Sequence, residues 1–388
     1  MQKKLIVVAL AAAFTLPVAA YAENGNFTFY GVADLSYDMV NTGNGTDKAN
    51  NTTAVSGTSK RVVSSNVSKF GFKGTEDLGD GLSANWQVEQ QVNFDNSSNS
   101  TTCKAADITG TPGKDCKVTA NTGIFATRNT FVNVKSEKLG TILFGRNDTP
   151  YKFASRKLDM FGDNVGDNRA LMGNKSNLGF ELRPTNILMY TSPTFSGFNA
   201  AIANVNLQES NTLGSQKNDS LTSLAVMYDV APFYGSIAHE AHKLETVVAG
   251  GEESASRVGF AFRPEDIPFE VTAMYEKTTD NLGAAGANTY GHSASFLGAK
   301  YNIGNNAVKF GYVKAGTLGS TVDSGASQVS IGYDQGLSKR TKLYALYTKI
   351  TNGKGVNYEF SQSSGATSTN AGYGTSPSVV SLGVKHTF

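Results

Sequence analysis

The residues with the clearest potential for chemistry are three aspartates at four-residue spacing, Asp159, Asp163 and Asp167. They lie in residues 148–184, the longest stretch between segments that alternate like strands, and glycines and asparagines separate them. Folded into a water-filled space, this row presents a negative rim, and basic residues on a facing wall would create a transverse field that sets ion preference. The same residues also fit an external loop with solvated charges. The sequence leaves both interpretations open, because long loops are often functional.

Catalytic and metal-binding motifs are the second kind of chemistry to consider, and none holds. His239-Glu240-Ala241-His242 resembles the start of a zinc-protease motif, but Lys243 stands where that motif requires its second histidine. On a strand, His239 and His242 would also point to opposite faces. A Gly-x-Ser-x-Gly nucleophile motif is missing as well. The sequence therefore predicts no enzyme, no metal site and no cofactor.

The two cysteines, Cys103 and Cys116, lie close together in a polar segment. In an exported chain this spacing predicts a local disulfide. Two free thiols are the alternative. A metal site is less favoured, because no histidine or further cysteine lies near.

The elements that would position these charges are segments that alternate between apolar and polar residues. In the stretch KFGFKGTEDLGDGL, Phe70 and Phe72 share one face and Lys69 and Lys73 share the other. Sixteen segments read this way: 26–39, 61–76, 81–94, 125–135, 141–147, 185–191, 196–205, 221–229, 232–241, 254–263, 267–277, 292–302, 305–315, 325–334, 340–350 and 377–388.

The connections between these segments alternate strictly between short turns and long loops rich in Asn, Ser, Thr and Gly. This alternation and the even strand count are typical of an outer-membrane barrel with periplasmic turns and external loops. An open sheet would leave unpaired edges, which lipid does not tolerate. The sequence predicts an all-β fold, a 16-stranded antiparallel transmembrane β-barrel whose apolar face meets lipid and whose polar face lines a watery lumen.

The N-terminus reads as a targeting segment. Lys3 and Lys4 precede an apolar run, and Ala20-Tyr21-Ala22 forms an A-x-A cleavage site. We expect residues 1–22 to be a signal peptide and 23–388 to form a single barrel domain. Without Lys3 and Lys4, 34 − 2 = 32 basic residues balance 32 acidic ones. A neutral chain argues against nucleic-acid binding, which needs a basic surface.

Several motifs, in order along the chain, resemble the general-diffusion porins of Gram-negative outer membranes, especially the beta-proteobacterial type. The stretch 68–82 is similar to the family's most specific motif. The other matches are Phe29-Tyr30-Gly31-Val32-Ala33-Asp34, Leu139-Gly140-Thr141, Phe144-Gly145-Arg146, Arg183 with Asn186, Tyr190-Thr191-Ser192-Pro193, Gly197-Phe198, Leu337-Ser338-Lys339-Arg340-Thr341 and Lys385-His386-Thr387-Phe388.

The resemblance implies a homotrimer in the outer membrane, reached by export through the periplasm, whose third loop folds into each pore. It implies that Lys69, Arg183 and Arg146 face Asp159, Asp163 and Asp167 at the constriction. Where some relatives have a further arginine this chain has Asn129, which should weaken the basic cluster. Arg128, beside it, is predicted as a rim residue.

The strand pattern bears on the roles expected of Arg146 and Phe388. Arg146 shares its parity with Ile142 and Phe144, which are assigned to lipid, so it faces the pore only if a bulge or the strand end re-aims it. Phe388 fits an aromatic girdle at the membrane interface. The resemblance adds that a terminal phenylalanine is read by the outer-membrane assembly machinery.

The function implied is passive diffusion of ions and small hydrophilic solutes through a barrel that contacts outer-membrane lipid and lipopolysaccharide. A substrate-specific porin with a binding site in the pore is the nearest alternative. A barrel enzyme and a secreted soluble β-protein are more distant ones, since catalytic motifs are missing and the turn–loop alternation favours a membrane barrel.

Overall fold

The computed structural model describes residues 25–95, 125–207, 219–361, 366 and 372–388. Within these ranges sixteen strands form one sheet. They are β1 Gly25–Asn41, β2 in two segments Ser59–Ser65 and Lys69–Gly79, β3 Leu82–Gln91, β4 Thr130–Ser136, β5 Gly140–Arg146, β6 Ile187–Thr191, β7 Phe198–Asn206, β8 Ser220–Val230, β9 Phe233–Lys243, β10 Glu252–Phe262, β11 Phe269–Asp280, β12 Ser293–Ile303, β13 Asn306–Ala315, β14 Ala326–Gly336, β15 Thr341–Asn352 and β16 Ser378–Thr387.

The sheet closes on itself. Each strand pairs antiparallel with the next, and β1 pairs with β16 from Val32↔Thr387 to Asn41↔Ser378. The backbone of Phe388 exchanges two further hydrogen bonds with Gly31, at 2.9 and 3.0 Å. Closure gives hydrogen-bond partners to the backbone N–H and C=O groups of both edge strands. A bilayer requires this, because lipid offers such groups no partners. The predicted 16-stranded antiparallel barrel is confirmed.

Short and long connections alternate around the barrel, as predicted. The seven short turns of the described ranges span residues 80–81, 137–139, 192–197, 231–232, 263–268, 304–305 and 337–340. They all lie at the end where β1 begins and β16 ends. The first long loop, at the other end of the barrel, contains a small hairpin in which Gly45–Thr46 pairs with Ala54–Val55.

The two faces of the strands differ as the alternation predicts. Phe72 lies outside, 5.7 Å from Phe27 and 5.2 Å from Phe29 between ring centres, and both partner rings are at least half exposed. Lys69, on the opposite face, reaches the inward carboxylate of Glu89. Such an exterior suits lipid contact, since apolar side chains face hydrocarbon and polar ones face water.

A second apolar core lies inside the barrel. The segment after β5 contains helix α1 (Pro150–Arg156) and a 3-10 turn at Asn168–Ala170. Buried side chains of this segment pack against the inner faces of β8 to β15; they include Tyr151, Leu158, Phe161, Leu171 and Met172. No helix in the described ranges is both long and apolar enough to cross a bilayer. A second 3-10 turn spans Ala284–Gly286 in an outer loop.

Candidate functional site: a charged constriction

The segment 147–186 between β5 and β6 lies inside the barrel and not outside it. Helix α1 begins after Thr149, with Pro150 at its first turn, where proline's missing N–H is not needed. The hydroxyl of Ser223 on β8 accepts a hydrogen bond from the Tyr151 amide at 3.0 Å, and Tyr234 on β9 donates to the Ala154 carbonyl at 2.5 Å. Of the two interpretations left open by the sequence, the inward one is therefore the fold.

Buried charges fasten this loop to the wall. Arg257 on β10 pairs with Glu276 on β11, at 3.0 Å from its Nε, and with Glu181 of the loop. Tyr151 donates to Glu276 at 2.5 Å, and the guanidinium carbon of Arg257 lies 4.5 Å from the Tyr151 ring centre. All of these groups are buried. Because a buried charge is tolerated only when it is paired and hydrogen-bonded, this cluster holds the loop in one position.

A second anchor holds the returning part of the loop. Glu253 on β10 accepts hydrogen bonds from the amides of Asn177 and Leu178, at 2.7 and 3.1 Å. The ring of His242 on β9 lies 2.7 Å from the same carboxylate and stacks on Phe180, with 4.8 Å between ring centres. His239 points to the outer face, where it contacts Ser256. The two histidines thus lie on opposite faces of the strand.

The tip of the loop is held by an aromatic ring in a glycine notch. Phe161 packs against Gly311 on β13 and Gly332 on β14, and a Cβ at Gly332 would lie only 2.9 Å from the ring. The ammonium of Lys309 lies 5.0 Å from the ring centre and donates to the Met160 carbonyl at 3.3 Å. The notch therefore requires glycine, because any side chain at residue 332 would displace the tip.

The three aspartates are brought together, and the loop's own arginines neutralise them. Asp163 lies 3.2 Å from Arg156 and 2.9 Å from Arg169. Asp167 lies 3.4 Å from Arg156 and 2.6 Å from Arg169. The side chains of Asp159 and Asp167 are at most 1% exposed, whereas that of Asp163 is 36% exposed. Only Asp163 among the three presents a carboxylate to the water of the pore.

Burial and ion pairing give these three carboxyl groups different pKa values. Burial, together with the carboxylate of Asp167, raises the pKa of Asp159 to about 7. Burial would also raise the pKa of Asp167, but Arg169 and Arg156 hold it well below its usual range. The same arginines, aided by Lys385 across the lumen, outweigh burial and lower the pKa of Asp163. Asp167 and Asp163 are thus carboxylates, while Asp159 is the proton-binding member of the group.

The predicted Arg183 lies at the return of the loop toward β6. It donates to the Asn129 side chain at 2.6 Å and pairs with Asp148 at 2.9 Å. Lys152 of α1 pairs with the same carboxylate at 3.0 Å. These two cations outweigh the effect of burial and lower the pKa of Asp148 to about 2. Arg183 therefore pairs with Asp148 at the base of the loop and makes no ion pair with Asp159, Asp163 or Asp167.

Lys69 faces the lumen as its parity requires. Its ammonium lies 3.1 Å from Glu89 on β3, and Tyr30 donates to the same carboxylate at 3.1 Å. Arg128, predicted as a rim residue, is instead buried and lies 2.6 Å from Glu89. That correction has a simple cause: Arg128 precedes the first residue of β4, so strand parity does not fix the direction of its side chain.

The comparisons with known proteins agree with this geometry. The family model for Gram-negative porins matches residues 7–355. This chain belongs to the Gram-negative porin family. Among its curated relatives is outer membrane porin protein 32 of Delftia acidovorans, 26% identical over 399 residues and covering all of both chains.

Solved structures show the same fold. An anion-selective porin from Comamonas acidovorans matches with a TM-score of 0.72 at 22% identity, over 94% of this chain and all of the other. An outer membrane protein of Vibrio cholerae, OmpT in its trimer form, matches with a TM-score of 0.59 at 13% identity, over 94% and 99% of the two chains. The chain is thus a porin of the outer membrane that forms a water-filled channel.

In this porin, Arg146 is a predicted site residue that does not lie in the pore. It ends β5 on the outer face and borders a cleft together with Phe144 and Leu188, which are both exposed to the outside. Its guanidinium donates to the Thr127 carbonyl at 2.9 Å. The parity with Phe144 therefore holds to the end of the strand, and no bulge redirects the side chain inward.

Three lysines of the porin's opposite wall were not among the predicted site residues. Lys385 on β16 pairs with Asp34 at 3.2 Å, Lys342 on β15 with Asp334 at 2.7 Å and Lys300 on β12 with Glu270 at 2.6 Å. Their shared signal was inward parity, since each lysine lies on the face opposite the exposed apolar side chains of its strand. Phe388 lies at the seam, 5.7 Å from Phe29 between ring centres. Its role in assembly stays a prediction, and Cys103, Cys116 and residues 1–22 lie outside the described residues.

Proposed function

We propose that this porin is a passive diffusion channel with a preference for anions, and that its constriction lies between the inward loop and the lysine-bearing wall formed by β1–β3 and β12–β16. Small hydrophilic solutes cross by diffusion, with no energy source and no covalent step. We also propose that the chain, like the channels of its family, catalyses no reaction.

One observation carries the anion preference. In four ion pairs of the wall, those of Lys69, Lys300, Lys342 and Lys385, the lysine is the more exposed partner and the carboxylate lies behind it. The pair of Lys309 with Asp334 differs, since its side chains are 12% and 16% exposed. The Lys385 side chain is 28% exposed while that of Asp34 is fully buried, and Lys69 is 26% exposed against 5% for Glu89. Lys300 and Lys342 are likewise about twice as exposed as their carboxylates. An ion in the pore therefore passes closer to ammonium groups than to the carboxylates that balance them.

The inward loop opposes this field only weakly. Asp159 and Asp167 are buried, and Asp163 shares its charge with Arg156 and Arg169. Lys73 adds to the wall, because it contacts no carboxylate in the described ranges and lies 5.5 Å from the Tyr30 ring centre. The loop accordingly narrows the pore and sets its size limit, while the wall sets its charge preference.

A binding site within the pore is the second candidate, and a cavity at the turn end favours it. The cavity measures about 410 Å³. Its charged lining consists of Lys300, Lys339, Arg340, Lys342, Lys385 and Asp334. A multivalent anion would fit this excess of positive charge. Conductance that saturates with such an anion would favour this reading, and conductance linear in concentration would favour simple diffusion.

We further infer that the porin assembles as a homotrimer in contact with outer-membrane lipid and lipopolysaccharide. The solved trimer form among its structural neighbours supports this assembly. In a planar bilayer, each insertion of a trimer should add three equal channels to the conductance. Insertions that add one channel at a time would contradict the trimer.

The test is the reversal potential of purified porin in a planar bilayer with a KCl gradient. We expect a reversal potential of the same sign as the equilibrium potential of chloride. The Lys314→Gln variant serves as a matched control, since this lysine is exposed on the outer face of β13 and lies away from the lumen. A potential on the potassium side would overturn the anion preference, and a folded protein without conductance would overturn the channel itself.

A further inference from the structure

A buried carboxylate lies directly behind one lysine of the pore wall. Asp34 on β1 and Lys385 on β16 are opposite each other where these two strands close the barrel, so their side chains share the inner face. The Lys385 ammonium lies 3.2 Å from the Asp34 carboxylate, and the lysine side chain is 28% exposed while that of the aspartate is fully buried. Solutes in the pore therefore meet Lys385 but not Asp34.

Tyr344 on β15 holds the Asp34 carboxylate from two strands away. Its hydroxyl donates a hydrogen bond to Asp34 at 2.8 Å. The ring reaches β1 by crossing Gly383 of β16, where a Cβ atom would overlap the ring. The contact between Tyr344 and Asp34 therefore depends on glycine at residue 383.

Asn66 completes this network from the break in β2. Its side-chain amide donates to the Tyr344 hydroxyl at 2.8 Å and to the Ser36 hydroxyl at 2.9 Å. The backbone amide of Asn66 donates to the Asp34 carbonyl at 2.8 Å. Asn66, Tyr344 and Asp34 are all buried. These bonds fix the position of the carboxylate, because a buried charge is tolerated only when it is paired and hydrogen-bonded.

The charge of Lys385 acts across the constriction. Asp163 of the inward loop presents its carboxylate to the pore, with a side chain that is 36% exposed. Burial alone would raise the pKa of Asp163, but two arginines of the loop, and after them Lys385, lower it. Lys385 is thus close enough to the loop to affect an ion between the two, and Asp34 cancels part of its field.

We propose that Asp34 positions Lys385 at the wall and thereby limits the preference of the channel for anions. Without the carboxylate, the Lys385 ammonium loses its ion pair and extends toward the ion path, where it attracts anions more strongly. Asp34 itself contacts no solute and acts through Lys385. The inference deepens the anion preference named under the proposed function and rests on it.

The experiment measures the reversal potential of Asp34→Asn in a KCl gradient and compares it with that of the wild-type porin. Asparagine is close to aspartate in volume, and its side-chain oxygen still accepts the Tyr344 hydroxyl, so the charge is lost and the packing stays. We expect the chloride-to-potassium permeability ratio to rise about twofold or more, because a unit charge about 8 Å from the ion path changes the ratio by about that factor at about 0.1 M salt. An unchanged or lower ratio would overturn the proposal.

The same substitution in a Lys385→Gln background separates positioning from charge. If Asp34 acts through Lys385, Asp34→Asn should raise the ratio by a smaller factor in this background than in the wild-type chain, as contacting residues do in a double-mutant cycle. An equal rise in both backgrounds would mean that Asp34 acts by its own charge, and the proposal fails. A merely structural role would change the currents of both ions alike and leave the ratio in place, which would also overturn it.

Asp38→Asn is the matched control. Asp38 is another fully buried carboxylate of β1 with the same parity as Asp34, four residues nearer the loop end and about 13 Å away by the rise of the strand. This variant should keep the ratio close to that of the wild-type chain. A rise equal to that of Asp34→Asn would overturn the proposal, because loss of a buried charge elsewhere on the strand would then suffice.

Folding of each variant is checked by its heat-dependent mobility in detergent gels, and Asp34→Ser carries the test if Asp34→Asn does not fold. The wild-type potential tests the anion preference, and the difference between variant and wild type tests Asp34. A cation-selective wild-type chain with a raised ratio in Asp34→Asn would refute the preference and leave the role of Asp34 standing, so the two proposals fail separately.

Discussion

Replacement of Lys69 by glutamine removes one ammonium from the pore and leaves the wall around it in place. Glu89 keeps Arg128 at 2.6 Å and Tyr30 at 3.1 Å, so its carboxylate stays held and charged. The net change is therefore the loss of one positive charge at a side chain that is 26% exposed. Glutamine is close to lysine in volume, which keeps the width of the pore nearly constant.

The size of the effect follows from Coulomb's law. A unit charge about 5 Å from the ion path interacts with a passing ion by about 0.8 kcal/mol in water. Screening at about 0.1 M salt reduces this to roughly 0.5 kcal/mol. That energy changes the partition of each ion by a factor of about 2.3, in opposite directions for anion and cation. The chloride-to-potassium permeability ratio should thus fall about fivefold in Lys69→Gln.

The assay is the reversal potential across a tenfold KCl gradient, followed by the same measurement at high salt. The shift should shrink at about 1 M salt, where the screening length is about 3 Å. Lys314→Gln, on the outer face, should leave the ratio unchanged. If the ratio of Lys69→Gln equals that of the wild-type chain at low salt, the Lys69 ammonium does not face the ion path and the charge argument fails.

Three further outcomes follow from the anchors of the loop. Arg257→Met leaves buried carboxylates unpaired, which costs about 3–5 kcal/mol, so open-channel noise should rise in single-channel records; quiet currents would contradict the anchor. Phe161→Ala empties the glycine notch at a cost of about 3–5 kcal/mol and should raise the conductance, and an unchanged conductance would show that the tip does not narrow the pore. Asp159 binds its proton more tightly in the folded state, so the free energy of unfolding should fall as pH rises from about 4 to about 7. Asp159→Asn should remove that fall in a series of thermal unfolding temperatures, and an identical pH profile would refute the assignment.

The barrel itself could be predicted because lipid imposes a simple rule on every strand. An outward residue must be apolar and an inward one must tolerate water, which gives a period of two that is visible without any tertiary information. The exception shows the limit of this rule. Residues 61–76 read as one strand, but the structure divides β2 at Asn66–Ser68, where the Ser68 hydroxyl bonds to the Asp34 backbone. A contact across 34 residues leaves no local pattern.

The site was harder to predict for the same reason. Strand parity predicted that Lys69 faces the lumen and that Arg146 faces outward. For Arg146, strand parity was therefore a better predictor than the family motif. The partners of the three aspartates lie within one loop at irregular spacing, and only a folded loop brings Arg156 and Arg169 onto both Asp163 and Asp167. Arg257 and Glu181 are 76 residues apart, and their pairing depends on the loop's path through the barrel.

These pairings explain why the loop sets the shape of the constriction and the wall sets the ion preference. A loop that folds into a barrel must bury backbone and side chains against an inner wall, and its charges are tolerated there only when they are paired. Asp159 and Asp167 therefore serve the loop's own structure, since their carboxylates accept backbone amides of Phe161 and Asp163 at 2.9 and 2.8 Å. The wall lysines other than Lys309 meet no such demand, because a long side chain carries the charge into water while the carboxylate partner stays behind. Ion preference in this porin should thus respond to single changes on the wall and resist single changes in Asp159 and Asp167, whose removal disturbs the shape of the constriction more than its charge.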